Sequence, residues 1–288
     1  MVQSLLYELC ARPRRPIIFK DSKPKGPTEM FDIIFAPKGE YPPCGIFSAA
    51  HIITASTLIL LVAVLLYFSR GMSEKNAVKI TKAVFLTVAV LESVKIIYCL
   101  SSGQTAFDSF VPLHYCSLLI YSSGFAGFGR GFIRECGRSF LTGASVIGGM
   151  AFLIYPSTSI TMFPIYHFQS MYSMLFHSLM IYLGMLYLIN GYFSLSVENY
   201  KYYMAFFIPF ATAAMLMNAV FGCNLMFLRE PYNIPVPFLS ELRDFSQFLY
   251  TALILFLYAL LPYFIPKFVK DLFLRISEKK STKGQADK

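Results

Sequence analysis

Three side chains with the chemistry of acyl transfer lie in apolar stretches of this sequence: Cys116, His114 and His177. A thiolate is a strong nucleophile, and a neutral imidazole can accept the proton that the thiol must lose. His114 and Cys116 are two residues apart, so a regular helix would turn them to nearly opposite sides. We therefore predict Cys116 as a catalytic nucleophile, His177 as its first choice of general base and His114 as the second.

These three residues also have interpretations without catalysis. A buried cysteine is more often an inert small hydrophobic residue than a nucleophile. Histidines inside a membrane serve plain binding and proton relay as well as chemistry. Histidines together with Glu92 would offer nitrogen and oxygen ligands to zinc. The sequence has no His-x-x-x-His or His-Glu pair, however, so we predict no metal and no cofactor.

Four further polar residues in apolar surroundings are predicted to bind substrate: Asn224, His51, Glu92 and Lys95. Asn224 could orient the base or donate a hydrogen bond to an oxyanion. Each also has a structural interpretation. Glu92 and Lys95 are three residues apart, so on a helix they can form an ion pair with each other. Asn224 could bond a neighbouring helix, and His51 could lie at the membrane interface.

The composition predicts an all-α membrane protein with one helical bundle. Of 288 residues, 56% are hydrophobic and only 14% are charged, whereas soluble domains carry about 25% charged residues. The apolar residues form runs long enough to cross a bilayer, which takes roughly 17–25 residues. We predict seven spans: Ala49–Ser69, Ile80–Leu100, Val111–Gly129, Phe140–Tyr155, Phe168–Tyr192, Tyr203–Leu228 and Phe245–Phe264.

The loop charges predict the orientation of the bundle. Lys and Arg occur in the links after spans one, three and five and in the C-terminal tail, but not in the links after spans two and four. The positive-inside bias then puts the C-terminus in the cytoplasm and the N-terminus outside. We divide the chain into a polar N-terminal tail (1–48), which could hold a short helix at Val2–Cys10, a transmembrane domain (49–272) and a basic C-terminal tail (273–288).

With this orientation, the seven polar candidates all fall in the outer half of the membrane. His51 opens span one, Glu92 and Lys95 lie late in span two, and His114 and Cys116 lie just inside the outer end of span three. An isolated polar group is costly in lipid, so such residues usually face the protein interior. The common depth predicts one polar cavity that is open to the outer face and takes a membrane lipid or acyl chain. No nucleic-acid module is recognisable.

Several motifs in this order resemble the YwaF-like family of integral membrane proteins, to which animal transmembrane protein 164 is related. The motifs are FSAAHIITAS (Phe47–Ser56), LESVK (Leu91–Lys95), VPLHYC (Val111–Cys116), FP (Phe163–Pro164), LFHSLMIYLGMLYL (Leu175–Leu188) and CNLMFLREP (Cys223–Pro231). The resemblance implies a multi-pass membrane protein. Because the animal relative is a cysteine-dependent acyltransferase that acts on ether phospholipids, the resemblance further implies this activity. In that relative the cysteine directly precedes the shared histidine, where this chain has Leu113.

The sequence therefore favours a lipid acyltransferase or hydrolase and leaves two other functions open. A transporter or proton-coupled carrier would use Glu92, Lys95 and the histidines as a relay. A non-catalytic protein could bind or sense lipid with the same cavity. The halves of the chain show no internal repeat, which is what many carriers have.

Overall fold

A computed structural model describes residues 32–286, except 105, 233 and 235, and every regular element within them is helical. The predicted helix at Val2–Cys10 lies outside the described residues. In chain order the helices are α1 (Ala49–Phe68), α2 (Glu74–Ser101), α3 (Phe107–Phe110), α4 (Leu118–Phe128), α5 (Gly131–Phe140), α6 (Val146–Ile154), α7 (Phe168–Ile189), α8 (Tyr200–Phe221), α9 (Pro237–Phe245) and α10 (Gln247–Ala286).

Six helical stretches in the described chain are long and apolar enough to cross a membrane. They are α1, α2, the continuous stretch from α5 to α6, α7, α8 and the first part of α10. Helices suit this setting because each one satisfies its own backbone hydrogen bonds in a solvent that offers none. Large apolar side chains such as Leu60 in α1 and Val220 in α8 point outwards, being 66% and 72% exposed. The predicted all-α membrane fold is confirmed.

The third predicted span, Val111–Gly129, is helical only in its second part. Pro112 disfavours helical geometry at the residue before it, and Val111 is extended with φ −80° and ψ 119°. Regular helix begins only at Leu118, so α4 has 11 residues. We call residues 111–117 the interior segment, because Tyr115 packs within the bundle against Phe140 and Tyr258. Irregular backbone at membrane depth is tolerated where protein surrounds it.

Helices α5 and α6 form one long element, interrupted by a π-helical turn at Leu141–Ser145. This element packs closely on α7 through glycines. A Cβ on Gly184 would lie 2.6 Å from the carbonyl oxygen of Leu141, and one on Gly149 would lie 2.7 Å from that of His177. Small residues allow two helices to approach this closely in a membrane. The close contact fixes the relative positions of α6 and α7.

Several boundaries differ from the predicted ones; α2 begins at Glu74 rather than Ile80, and the fourth span begins at Gly131 rather than Phe140. Helix α8 ends at Phe221, because Gly222 takes the left-handed conformation (φ 69°) that terminates helices. Helix α10 continues without a break to Ala286. Residues 32–48 are packed on the bundle, with Ile33 buried and the carbonyl of Ala36 accepting from the Tyr98 hydroxyl at 2.8 Å.

Candidate functional site

His177 is fixed as a neutral base in the middle of α7. Its Nδ1 lies 2.7 Å from the carbonyl oxygen of Ser173, one turn earlier on the helix. A carbonyl can only accept, so Nδ1 carries the proton and Nε2 keeps a lone pair. This Nε2 is buried and has no hydrogen-bond partner in the part of the chain that the structure describes. The ring stacks on Phe152 of α6 with centroids 3.6 Å apart, which fixes its plane.

His114 shows the same arrangement with its nitrogens exchanged. Its Nε2 donates to the carbonyl oxygen of Asp108 at 3.1 Å, which leaves the lone pair on Nδ1. The buried Nδ1 also lacks a hydrogen-bond partner among the described residues. The ring lies 5.6 Å from that of Phe227, in the link after α8. Two imidazoles in the bundle therefore each have one basic nitrogen available.

Cys116 lies where α6 packs on α7. A Cβ on Gly148 would be 3.9 Å from its Sγ and 3.1 Å from Met180. Gly148 is six residues before the end of α6, and Met180 is twelve residues into α7. At 1.5 Å per residue these two neighbours lie roughly 9–18 Å from the helix ends. The interior segment thus brings the thiol to the contact between α6 and α7, and its depth in the membrane stays a prediction.

Cys116 and His177 pack against the same face of α6. Gly148 faces the thiol and Phe152 stacks on the imidazole, and these two α6 residues are four apart. Residues four apart on a helix lie on one face, about 5–6 Å from each other. Cys116 and the free Nε2 of His177 are not hydrogen-bonded to each other. The helical spacing that was expected to separate His114 from Cys116 does not apply, since neither residue is in a helix.

Glu92 and Lys95 form the ion pair that their spacing predicts, with Nζ 2.5 Å from Oε1. The other carboxylate oxygen of Glu92 accepts from the hydroxyl of Tyr172 at 2.5 Å. Glu92 is buried, so these two partners compensate its charge where water does not. The pair lies within electrostatic range of His114. The structure confirms the predicted ion pair. The sequence did not predict the contact with Tyr172, because nothing in the local sequence connects that residue to α2.

His51 and Asn224 make their hydrogen bonds with nearby backbone. Nδ1 of His51 accepts from the amide of Phe47 at 3.1 Å, and Nε2 lies 3.0 Å from the carbonyl of Leu153. The side chain of Asn224 accepts from the amides of Arg229 and Glu230. Asn224 therefore lies in the link beyond α8 rather than in a span. Substrate binding by these two residues stays a prediction.

The arrangement provides a proton acceptor, a thiol and a compensated charge pair inside the bundle. Sequence reasoning also missed Phe152 and Asp108, which hold the two imidazoles; Asp108 does so through its backbone carbonyl, so its residue type gave no signal. In the described residues, no group of three or more His, Cys, Asp or Glu side chains is close enough to hold a metal ion.

This combination of fold and interior defines a polytopic α-helical membrane protein with a polar, histidine-containing centre. The model of the TMEM164 family matches residues 46–263, which cover most of the chain. The chain belongs to the TMEM164 family. No curated protein and no solved structure matches it.

Proposed function

We propose that this protein transfers or hydrolyses an acyl group of a membrane lipid at a site formed by Cys116, His177 and His114. The observation that carries the proposal is the buried Nε2 of His177, which has a lone pair and no hydrogen-bond partner in the described chain. The α6 residues next to Cys116 and His177, Gly148 and Phe152, are one helical turn apart on the same face. A gap of this kind between base and nucleophile often closes only when substrate binds.

The reaction takes place in two balanced steps. In the first, the thiol proton of Cys116 passes to Nε2 of His177 while sulfur attacks the ester carbonyl of the lipid. The carbon–sulfur bond forms, the ester carbon–oxygen bond breaks, and the leaving alcohol takes the proton back from His177. In the second step, an acceptor hydroxyl or water gives its proton to His177 and attacks the thioester, which releases the thiol. His114 is a second base, with Nδ1 free for the acceptor.

Substrate binding divides between apolar and polar parts of the site. Cys116 packs with the large apolar core that includes Met180 and Ile181, so an acyl chain suits its surroundings. The ion pair of Glu92 and Lys95, near His114, supplies charge for the polar part of a lipid. In the structure the Asn224 amide group donates to the carbonyl of Glu230, so an oxyanion role for Asn224 requires the link beyond α8 to rearrange.

A thiol-directed acyl-thioester probe tests the proposal in membranes that contain the full chain. We expect the wild type to be labelled and Cys116→Ser to lose the labelling. In His177→Asn the labelling should be at least about a hundredfold slower, because a general base usually contributes a factor of this size. Asn places its amide nitrogen near the position of imidazole Nδ1 and can still donate to Ser173, so the fold is kept. Cys99→Ser is the matched control, since Cys99 is a buried thiol of α2.

Two results would reject the covalent mechanism. One is a wild type that ignores the probe while His177→Asn still destroys function, which would favour a histidine-based hydrolase or a proton relay. The other is equal labelling of wild type and Cys116→Ser, which would assign the label to another cysteine.

A proton-coupled carrier is the second candidate function. The observation in its favour is the buried chain of Tyr172, Glu92 and Lys95, which lies within electrostatic range of His114. Buried ionisable chains of this kind mark proton paths in carriers. Purified protein in proteoliposomes separates the two functions: a carrier moves solute or protons across the bilayer without acyl exchange, and Cys116→Ser leaves this transport unchanged.

A further inference from the structure

A groove of about 560 Å³ opens sideways between α6, α7 and α10. It does not include Cys116, His114 or His177; along α7 it runs from Met185 to Ile189, which is twelve residues beyond His177, roughly 18 Å along the helix. Its lining is apolar except at one end, where a lysine side chain completes it. The residues that matter for the argument are Met185, Ile189, Ile265, Val269, Phe273 and Lys270.

The lysine at the end of the groove has a charge that the described part of the chain does not neutralise. Lys270 has no ion-pair partner there, because the carboxylate of Asp271 is bonded to Lys267, with Nζ 2.6 Å away. Arg275 lies one turn further on α10 and also within electrostatic range of Asp271. Lys267 is also within electrostatic range of Glu198, so three cations face two carboxylates in the described chain, and this end of the groove keeps a net positive charge.

We propose that this groove binds an anionic phospholipid, with an acyl chain along the apolar wall and the headgroup phosphate at Lys270. A chain of methylene groups matches walls made of Ile, Val, Met and Phe side chains. A lysine at membrane depth extends its ammonium group towards the headgroups. Basic pockets between transmembrane helices bind anionic headgroups in this way. The site is separate from the acyl-transfer site and does not depend on its activity.

Native mass spectrometry of the purified full chain tests the proposal, with phosphatidylglycerol and phosphatidylcholine of identical acyl chains as probes. We expect the wild type to retain phosphatidylglycerol about fivefold better than phosphatidylcholine, and Lys270→Gln to lower that ratio to about one. A fivefold preference is about what one lysine near a membrane surface contributes to the binding of an anionic lipid. Lys201→Gln is the matched control. It removes the same charge from the start of α8, where Lys201 lies over the ring of Tyr202 outside the groove.

A second variant tests the apolar wall separately from the charge. Ile189 is 41% exposed, so Ile189→Trp fills the groove without disturbing the core, and we expect weaker binding of both lipids. Leu216→Trp, at a 62% exposed position of α8 outside the groove, is its control and should change nothing.

Equal retention of the two lipids by the wild type overturns the proposal, as does a Lys270→Gln ratio equal to that of Lys201→Gln. A dimer that Ile189→Trp abolishes would identify a second copy of the chain as the occupant instead.

Discussion

At the residue scale, the hydrogen-bond partner of each histidine decides what that histidine can do. His51 uses both ring nitrogens on backbone groups, so a substrate would have to displace one of these bonds. His177 and His114 each use one nitrogen on a carbonyl and keep the other as a base. The sequence identifies all three histidines as intramembrane polar groups. It could not distinguish them, because their partners are backbone atoms whose positions depend on the fold.

His51 allows a prediction that separates stability from chemistry. His51→Ala leaves the amide of Phe47 and the carbonyl of Leu153 without their partner, and Phe47 already has a strained φ of 61°. We expect a loss of about 2–3 kcal/mol in the free energy of unfolding, because buried unsatisfied groups cost about 1–3 kcal/mol each. Acyl-probe labelling per folded molecule should stay unchanged.

Thermal unfolding in detergent measures the effect, with Thr57→Ala as the control. Thr57 is on the same helix, and its hydroxyl bonds the carbonyl of Ile53 at an exposed position, so its loss should be small. A His51→Ala variant that is fully stable but no longer labelled would restore His51 as a substrate-binding residue.

At the element scale, the close contact of α6 with α7 positions Phe152 against His177 and Gly148 against Cys116. The sequence has Ala144 and Gly148 four residues apart, a spacing of small residues that allows close approach, and the structure has Gly148 and Gly149 in that contact. It did not predict the interior segment, because hydropathy counts apolar residues and is insensitive to backbone conformation. Pro112 was the only local signal for it.

Gly184 allows a prediction about this contact. Gly184→Ala would place a Cβ 2.6 Å from the Leu141 carbonyl and 2.5 Å from a Val146 methyl, so the helices must move apart. Overpacking of this kind typically costs about 1–3 kcal/mol. We expect a lower unfolding temperature in detergent together with reduced labelling of Cys116. Gly124→Ala is the control, because its nearest neighbour is the Phe85 ring at 3.1 Å, a side chain that can shift. Equal unfolding temperatures for the two variants would contradict the prediction.

The start of α7 makes stability depend on pH. His167 caps this helix, accepting from the amide of Gln169 through Nδ1, and its Nε2 lies 3.1 Å from the Ala36 carbonyl. Burial lowers the pKa of His167 to about 4, against about 6.5 unfolded. As the pH falls, His167 is protonated in the unfolded chain before it is protonated in the folded chain. The stability that neutral His167 contributes is therefore present above pH 6.5 and is lost progressively towards pH 4.

We expect the wild type to lose about 2 kcal/mol more stability between pH 7 and pH 5 than His167→Asn, at about 1.4 kcal/mol per pKa unit. Asn can accept the same capping bond and does not titrate. Unfolding curves of both proteins at the two pH values measure the difference. Parallel pH dependence in the two would show that another group is responsible.

At the scale of the whole molecule, the lengths of the apolar runs predicted the number of membrane segments well. Six spans and α4 correspond to the seven predicted segments. The shared depth of the polar residues stays a prediction, and the structure changes one of its premises, since Asn224 lies beyond the end of α8. Depth along the chain was derived from uniform helical rise, which fails where a segment is not helical.

The orientation of the molecule stays a prediction from the loop charges. Single cysteines introduced as Lys283→Cys and Ser157→Cys, in a chain without its other reactive thiols, report it through labelling by a membrane-impermeant maleimide. We expect position 157 to react in intact cells and position 283 only after permeabilisation. The reverse pattern would place the C-terminus outside and would also reverse the leaflet that the groove beside Lys270 faces.

The short length of α4 has a consequence for biosynthesis. Its 11 residues cannot cross a bilayer alone, and the interior segment before it lacks the hydrogen bonding of a regular helix, so lipid would be a poor solvent for both. The nascent chain therefore cannot release this part into the membrane by itself when it leaves the translocon. The neighbours of α4 are α2, made before it, and α5, made after it, so a ribosome stalled just after Gly129 should leave the side that faces α5 accessible to water.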